Sequence, residues 1–161
     1  MTKTKPWMAS VLAGALASLG LPAVAENPPP PQPSQPAKTH STITIRIEAL
    51  RNDQGTVYVS LYDNKKSFKD NKGALLSGKA RPAKQAAVVV LDKVAPGRYA
   101  LSFIHDENNN QKLETNWMGI PKEGFGFSKN AMGKFGPPKF EDAVIDVPAG
   151  PVTVVMRTNY M

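Results

Sequence analysis

The stretch TITIRIEA, residues 42–49, alternates apolar and polar side chains along its length. Ile43, Ile45 and Ile47 fall on one face of an extended chain, and the polar residues between them fall on the other. Alternation with a period of two residues is typical of a β-strand with one buried face. The stretch TVYVSLY, residues 56–62, repeats the pattern, and the turn-forming sequence NDQG, residues 52–55, separates the two stretches. Together they predict a β-hairpin.

Further strand patterns lie on the C-terminal side of this pair. Residues 85–91 are apolar on both faces, which predicts a central strand. Strands are also predicted at 99–104, 141–147 and 152–159, with a seventh at 124–128 and one helical turn between 68 and 76. Because no amphipathic helix accompanies them, we expect an all-β fold. The predicted architecture over residues 40–161 is a single immunoglobulin-like or transthyretin-like β-sandwich of about seven strands with one long ordered loop.

The first 25 residues have the three parts of a secretory signal peptide in the expected order. Lys3 and Lys5 precede an apolar segment at 8–21, and the sequence AVA, residues 23–25, predicts cleavage near Ala25 and a periplasmic or secreted protein. The apolar segment is shorter than the ~20 residues that span a bilayer. No second run of that length follows, so we expect no membrane span in the mature chain. Residues 26–39 contain six prolines and predict a disordered Pro-rich linker.

Composition narrows the chemistry that the chain can perform. The 161 residues include no Cys and two His, which excludes a disulfide scaffold, a Cys-ligated zinc site, a thiol nucleophile and a site of three imidazoles. The net charge of +7 falls to +5 once the two lysines of the signal peptide are removed. The lysines are scattered and not interleaved with aromatic residues, so we expect no nucleic-acid partner. The positive charge indicates solubility or a loose attraction to anionic lipid, glycan or cell-wall polymer.

Residues 106–139 form a long segment without a clear strand or helix pattern. Loops of more than about 15 residues are uncommon in compact domains and are usually functional or disordered. This segment is rich in apolar and aromatic residues, which disordered segments lack, so we expect an ordered loop packed over one end of the sandwich. Its apolar members are Trp117, Met118, Ile120, Phe125, Phe127, Met132 and Phe135.

The loop begins with a pattern of oxygen-bearing side chains. Asp106, Asn108 and Asn110 are spaced at every second residue, and Glu114 follows at the ninth position, as in loops that wrap oxygen ligands around Ca²⁺. Gln111 stands where such loops have Gly, and the twelfth position is Trp117 in place of Glu. Two interpretations therefore stay open: a Ca²⁺ site formed by Asp106, Asn108, Asn110 and Glu114, and a turn whose Asp and Asn side chains bond their own backbone.

His105 is the one histidine inside the predicted strands. Next to Asp106, and with Glu123 further along the loop, it is a candidate general base or metal ligand. Its position in phase with Leu101 and Phe103 favours a different role, that of a strand-end residue that fixes the shape of the loop. Ser128 follows Gly126 at the expected spacing but lacks the second glycine and the strand-to-helix turn of a nucleophilic serine. No catalytic residue is therefore predicted.

Four segments resemble the bacterial domain-of-unknown-function 2141 family. They are PGRYA at 96–100, HDEN at 105–108, GIPKEGFGFS at 119–128 and GPPKF at 136–140. The resemblance covers roughly residues 43–160. It implies an exported single-domain β-sandwich, similar in outline to transthyretin-like domains, and it implies no activity or catalytic residue. The glycines and aromatic rings of the third segment describe a tight flap with its rings turned inward, in which Glu123 is well placed to bind backbone N–H groups.

The sequence therefore predicts an exported, non-enzymatic β-sandwich that binds or scaffolds an unknown envelope ligand or protein. The loop at 105–140 is the expected functional surface. The alternatives are a Ca²⁺-stabilised domain and, third, a hydrolase-type enzyme that uses His105. The residues expected to shape the loop or to contact a ligand are His105, Trp117, Gly119, Pro121, Glu123, Gly124, Phe125, Gly126, Phe127 and Ser128.

Overall fold

A computed structural model describes residues 39–134 and 136–161 of the chain. The predicted signal peptide and residues 26–38 of the predicted linker lie outside the described residues, as does Phe135. Within the described part, none of the helices has both the length and the apolar character needed to cross a membrane.

The described residues form eight strands, two short helices and one 3₁₀ turn. The strands are β1 (Ser41–Glu48), β2 (Thr56–Tyr62), β3 (Leu76–Ala80), β4 (Ala87–Val94), β5 (Gly97–Asp106), β6 (Gly124–Phe127), β7 (Ile145–Val147) and β8 (Gly150–Arg157). The helices are α1 (Lys65–Asp70) and α2 (Phe140–Ala143), and the 3₁₀ turn is Ser128–Asn130. The prediction of an all-β fold is confirmed.

The strands form two sheets. The first has the order β4-β1-β8, in which β1 pairs antiparallel with β4 and parallel with β8. The second has the order β3-β2-β5-β6, and the short strand β7 also pairs with β5, beside its first three residues. Alternate residues of both sheets share one hydrophobic core, in which Ile43, Ile45 and Ile47 of β1 are completely buried. The alternation that identified β1 therefore marks its buried face correctly.

The predicted hairpin of the first two strands is wrong, because β1 and β2 lie in different sheets. The connection at 49–55 crosses from one sheet to the other. Ala49 takes a left-handed backbone conformation with φ 62°, and the Leu50 side chain is 1% exposed in the core. The Leu50 N–H donates to the carbonyl oxygen of Gln85 at 3.0 Å, beside the first sheet. A buried leucine just before the turn sequence therefore fastens the connection to the core and to the segment that precedes β4.

The central position predicted for residues 85–91 is also wrong. This segment forms most of β4, which lies at the edge of its sheet. Val88 and Val90 are 52% and 50% exposed, so the apolar residues on the second face of the strand are not buried. The sequence pattern does not predict β3, because its five residues LSGKA include glycine and alanine among the alternating residues and leucine as their one large apolar side chain. Space for Gly78 is tight, since a Cβ atom there would lie 2.6 Å from the Val89 side chain.

The strand predicted at 141–147 is confirmed only for its last three residues, which form β7. Residues 140–143 are helical instead. Phe140 and Ala143 are spaced by three residues, as neighbours on a helix are, and both belong to a second hydrophobic cluster around Phe68. Glu141 and Asp142 lie in the first turn of α2, where the helix dipole favours negative charge. The helical turn predicted between 68 and 76 lies earlier in the chain, as α1.

The strand register gathers four segments at one end of the two sheets. The end of β1 lies beside the start of β4 and the end of β8, and the start of β2 lies beside the ends of β3 and β5. The segments that leave these strand ends are the connection 49–55, the turn 81–86, the loop 107–123 and the C-terminal segment 158–161. This end carries most of the residues that the sequence singled out.

Candidate functional site

His105 is the last inward-facing residue of β5 and is completely buried. Its Nε2 atom lies 2.7 Å from the carbonyl oxygen of Gln54, and its Nδ1 atom lies 2.9 Å from the Tyr160 hydroxyl. Because a carbonyl oxygen only accepts, Nε2 carries a proton and donates it to Gln54. The Arg51 backbone N–H donates to the Tyr160 hydroxyl oxygen at 3.0 Å, which leaves the hydroxyl proton for Nδ1. Both ring nitrogens are thus engaged in joining a loop, a strand and the C-terminal segment.

An ion pair covers this histidine. The Arg51 guanidinium donates to Glu107 Oε2 at 3.0 and 3.1 Å and lies 4.7 Å from the centre of the Tyr160 ring. Asn52 Nδ2 donates to the same carboxylate oxygen at 2.9 Å. Burial raises the pKa of Glu107, but the hydrogen bonds from Asn52 and Arg51 outweigh it and hold the pKa below its ordinary value. Burial raises the pKa of Tyr160.

The candidate calcium ligands form a series of Asx turns. Asp106 is completely buried, and its two carboxylate oxygens accept the backbone N–H groups of Asn110 at 3.1 Å and Gln111 at 2.7 Å. Asn108 Oδ1 accepts the same Asn110 N–H at 3.0 Å. Asn110 Oδ1 accepts from the Lys112 N–H at 2.8 Å, and its Nδ2 donates to Glu114 Oε1 at 3.0 Å. The structure therefore brings the four residues into one hydrogen-bonded turn.

Glu123 joins the two halves of the loop. Glu123 is charged and is nevertheless only 3% exposed. Oε1 accepts the backbone N–H of Glu107 at 3.0 Å, and Oε2 accepts the backbone N–H of Glu114 at 3.1 Å. A carboxylate that accepts two backbone N–H groups supplies acceptors that the irregular backbone lacks. The path of the loop between 107 and 114 is thus set by one side chain.

Residues 114–122 form a small hairpin, which we call the Trp117 hairpin. The Lys122 N–H donates to the Glu114 carbonyl at 2.8 Å, and the Asn116 N–H donates to the Ile120 carbonyl at 2.8 Å. Asn116 Oδ1 accepts from Met118 and Ile120, which fixes the tip. Gly119 has φ 77° with open space around it, so the turn requires its backbone conformation and not its small size. Trp117 at this tip is 92% exposed.

The residues that follow the hairpin pack inward. Phe125 is 8% exposed, and its ring lies 6.2 Å from that of Phe127, which contacts Phe68 with ring centres 5.6 Å apart. Between them, Gly126 lies beside Phe103 of the neighbouring strand β5, and a Cβ atom on Gly126 would lie 2.4 Å from the Phe103 ring. A Cβ atom on Gly124 would lie 2.6 Å from Thr158. The two glycines therefore let β6 lie against the C-terminal segment, where Phe125 pairs with Asn159.

Ser128 has a structural position. It is completely buried, its Oγ accepts the Leu101 N–H at 2.9 Å, and its hydroxyl donates to the Ala143 carbonyl. The hydroxyl thereby fastens the 3₁₀ turn to β5 and α2. Pro121 pairs with Thr115 in the stem of the Trp117 hairpin.

The predicted site residues thus divide into two groups. His105, Asp106 and Glu123 are buried and hold the loop, whereas Trp117 points into solvent. Sequence patterns missed the partners of the buried group, namely Arg51, Asn52, Gln54 and Tyr160. The first three lie in or next to the turn sequence at 52–55, and Tyr160 lies beyond the last predicted strand, so none falls in a pattern that indicates a function.

Comparison with protein-family models identifies the family of this chain. The family model of uncharacterized proteins conserved in bacteria, DUF2141, matches residues 45–155. The chain belongs to this family. The matched range covers most of both sheets, the Trp117 hairpin and the Gly124–Ser128 segment, but not Tyr160. No curated protein matches the chain, and no solved structure matches it.

Proposed function

We propose that this protein is an exported, non-enzymatic binding module of the bacterial envelope, with the Trp117 hairpin as its contact surface. The signal-peptide pattern of residues 1–25 supports export to the periplasm or beyond. The paired sheets support the finer assignment to an immunoglobulin-like or transthyretin-like sandwich, since both are built from mainly antiparallel strands around one core.

The observation that carries the proposal is the exposure of Trp117 on a braced support. Its side chain is 92% exposed, and the neighbouring Met118 is 58% exposed. The side chains of Asn116 and Glu123 accept hydrogen bonds from backbone N–H groups and thereby fix the hairpin. The apolar tip is therefore held in place although it does not contribute to the core. Tryptophan is enriched among the residues that dominate binding energy, and a preordered support lowers the entropy lost on binding.

The buried histidine supports a role without chemistry. Both nitrogens of His105 are engaged, one of them by a backbone carbonyl, and the side chain is not exposed to solvent. Two surface depressions of the described part have volumes of about 460 and 290 Å³ and are lined by residues such as Arg46, Lys79, Arg81 and Lys84. Neither is lined by His105. A general base must reach a bound substrate, and this arrangement gives His105 the task of holding the loop.

The side chains at the tip of the Trp117 hairpin indicate the chemical class of the ligand. An exposed indole ring with a flexible thioether beside it suits a sugar ring or an apolar side chain. Lys112 and Lys122, exposed on either side of the hairpin stem, add attraction to anionic groups. We therefore infer an envelope glycan or glycolipid, or a protein that presents an apolar side chain, as the partner.

Co-sedimentation with purified envelope material tests this proposal. Peptidoglycan, lipopolysaccharide and anionic lipid vesicles are each incubated with the wild type, with Trp117→Ala and with Val88→Ala. Val88 is an exposed apolar residue of the sheet and serves as the matched control. The proposal predicts binding to at least one material, weakened by about 2 kcal/mol or more in Trp117→Ala and unchanged in Val88→Ala. Equal binding by all three proteins would refute it.

A second candidate, a Ca²⁺-stabilised domain, has one specific observation in its favour. Gln111 adopts φ 62°, the left-handed conformation for which calcium loops use Gly at this position. Asp106 Oδ1 and Asn108 Oδ1 also lie within 3.1 Å of the same Asn110 nitrogen. Thermal unfolding in EDTA and in millimolar Ca²⁺ tests whether the loop binds Ca²⁺. A ligand at ~100-fold its Kd adds about 2.7 kcal/mol to the native state, and a rise abolished by Asp106→Ala would identify the site.

A further inference from the structure

Among the described residues, no strand pairs with the outer edge of β8 along its middle. The Gly150 N–H donates to the His40 carbonyl and the Thr158 N–H donates to the Glu48 carbonyl, so the even-numbered residues of β8 bond to β1. The backbone groups of odd-numbered residues therefore point away from β1. Pro151 belongs to this odd series, as expected for a residue that has no N–H to offer a neighbouring strand.

The odd-numbered residues differ in their partners. The Arg157 N–H donates to Asn130 Oδ1 at 2.8 Å, so the 3₁₀ turn covers the C-terminal end of the edge. For the N–H groups of Thr153 and Val155, residues 39–134 and 136–161 provide no acceptor. Both side chains are exposed, and that of Val155 is 47% exposed. We call Pro151, Thr153 and Val155 the β8 edge.

The other outer strands carry devices that discourage pairing with a further strand. β4 contains Asp92 and Lys93, and Lys93 has φ 59°, which bends the strand. β3 has five residues including Lys79, and β6 has four. Short strands, lysines and irregular backbone are the usual protections of sheet edges. β8 has eight residues and no charge between Gly150 and Met156. Its half-buried inward residues, Val152 and Val154, extend the apolar character to both faces.

We propose that the β8 edge is a docking surface for a second copy of this chain, which pairs its own β8 in the antiparallel direction. The exposed backbone groups fix the register: Thr153 of one copy faces Val155 of the other, and the two Val154 residues meet at the symmetry axis. This register forms four main-chain hydrogen bonds, because each facing pair exchanges two. It joins the two three-stranded sheets into one sheet of six strands.

The identity of the occupant follows from symmetry and charge. A strand paired with its own copy presents the same edge on both sides, so the unpaired donors and carbonyls of Thr153 and Val155 match one another without any other partner. The chain carries a net charge of +7, which disfavours self-association in general. The uncharged stretch 150–156 lets two copies approach without placing like charges opposite one another.

Analytical ultracentrifugation of the chain and of three variants tests this inference. Val155→Lys places a charge on the edge, which discourages strand pairing, and in the proposed register it brings the two introduced lysines to diagonal positions across the strand pair. Thr153→Pro removes one outward N–H group and leaves the pairing with β1 intact, as Pro151 does. Val88→Lys makes the same charge change on the same sheet face, but at the β4 edge. We expect a concentration-dependent dimer for the wild type and Val88→Lys, and a dimer dissociation constant raised by about tenfold or more in the other two.

Amide hydrogen exchange gives a second readout that does not depend on the variants. Dimerisation should slow the exchange of the Thr153 and Val155 amides as the protein concentration rises. The Val152 and Val154 amides, which bond to β1, should be protected at every concentration. A wild type that stays monomeric up to millimolar concentration overturns the inference, and so does a dimer that Val155→Lys leaves unchanged. Because Val155→Lys needs no change in backbone, a failure of Thr153→Pro to fold does not affect the conclusion.

Discussion

Replacing Glu123 with alanine should loosen the whole loop from 107 to 122. The substitution removes two acceptors from the backbone N–H groups of Glu107 and Glu114, at 3.0 and 3.1 Å. Each of these two part-buried donors costs about 1–3 kcal/mol when it is left without a partner. We therefore expect a loss of roughly 2–6 kcal/mol in the free energy of unfolding, a large share of the 5–15 kcal/mol typical of small domains. Glu123→Gln keeps one side-chain oxygen and should lose about half as much.

Urea denaturation with native-state hydrogen exchange measures this effect. In Glu123→Ala the Glu107 and Glu114 amides should exchange faster, together with the amides of the Trp117 hairpin. Glu141→Ala provides the control, because Glu141 is an exposed carboxylate that pairs with Lys65 on the surface, and such pairs contribute little to stability. If Glu123→Ala unfolds at the wild-type urea concentration and the two amides exchange at wild-type rates, Glu123 does not hold the loop and the reasoning fails.

Four further predictions concern single positions. Gly126→Ala should lower the free energy of unfolding by about 2–4 kcal/mol, since its Cβ would lie 2.4 Å from the Phe103 ring. Gly119 has open space around it at φ 77°, so Gly119→Ala should lower it by only about 1 kcal/mol. Chemical denaturation that ranks the two variants in the opposite order would contradict the packing described. Tyr160→Phe removes the oxygen that accepts the Arg51 N–H and lies 2.9 Å from His105 Nδ1, so it should lower stability by about 1–3 kcal/mol, and an unchanged Tm would rule this out. The pKa of Glu107 is lower in the folded chain, so its contribution to stability is present above its unfolded pKa of about 4.3 and is lost as the pH falls through the folded value. Glu107→Gln should therefore flatten the acid side of the plot of stability against pH. A plot identical to that of the wild type would show that the ion pair does not contribute to stability. Trp117→Ala should leave stability within about 0.5 kcal/mol of the wild type, and a larger loss would mean that the ring is packed.

The glycines of the GFGF segment explain part of the family's sequence pattern in physical terms. Gly124 and Gly126 lie on the face of β6 that meets Thr158 and Phe103, where no Cβ atom fits. Phe125 and Phe127 lie on the opposite face and pack against one another. The pattern of alternating glycine and phenylalanine therefore describes the edge strand of the second sheet, which pairs with β5 on one side and meets the C-terminal segment on the other.

The sequence was most informative where burial alone decides the structure. Ile43, Ile45 and Ile47 alternate because one face of β1 is in the core, and the prediction of a strand there is confirmed. The alternation carries no information on which strand lies beside it. Leu50 is buried in the connection at 49–55 between β1 and β2, which lie in different sheets. A single apolar residue next to a turn sequence is too weak a pattern to predict this arrangement.

The candidate site was predictable only in part, for a related reason. The spacing of Asp106, Asn108 and Asn110 indicated a curled loop, and the hydrogen bonds of their side chains are those of a curled loop. The partners of His105 come from Gln54 and Tyr160, more than 50 residues away in either direction. Such contacts depend on the arrangement of the sheets, which periodicity does not specify. The exposure of Trp117 was equally open, since an aromatic residue in a long loop is as often packed as exposed.

The fluorescence of Trp117 tests the central claim, that a braced hairpin presents this ring for binding. The chain has two tryptophans, and Trp7→Phe leaves Trp117 as the sole reporter. In the free protein we predict the emission of a water-exposed indole that acrylamide quenches efficiently. With the envelope material that binds in the co-sedimentation assay, the emission should shift to shorter wavelength and the quenching should fall. A free protein with blue-shifted, unquenched emission, or a bound one with no change, would contradict the account.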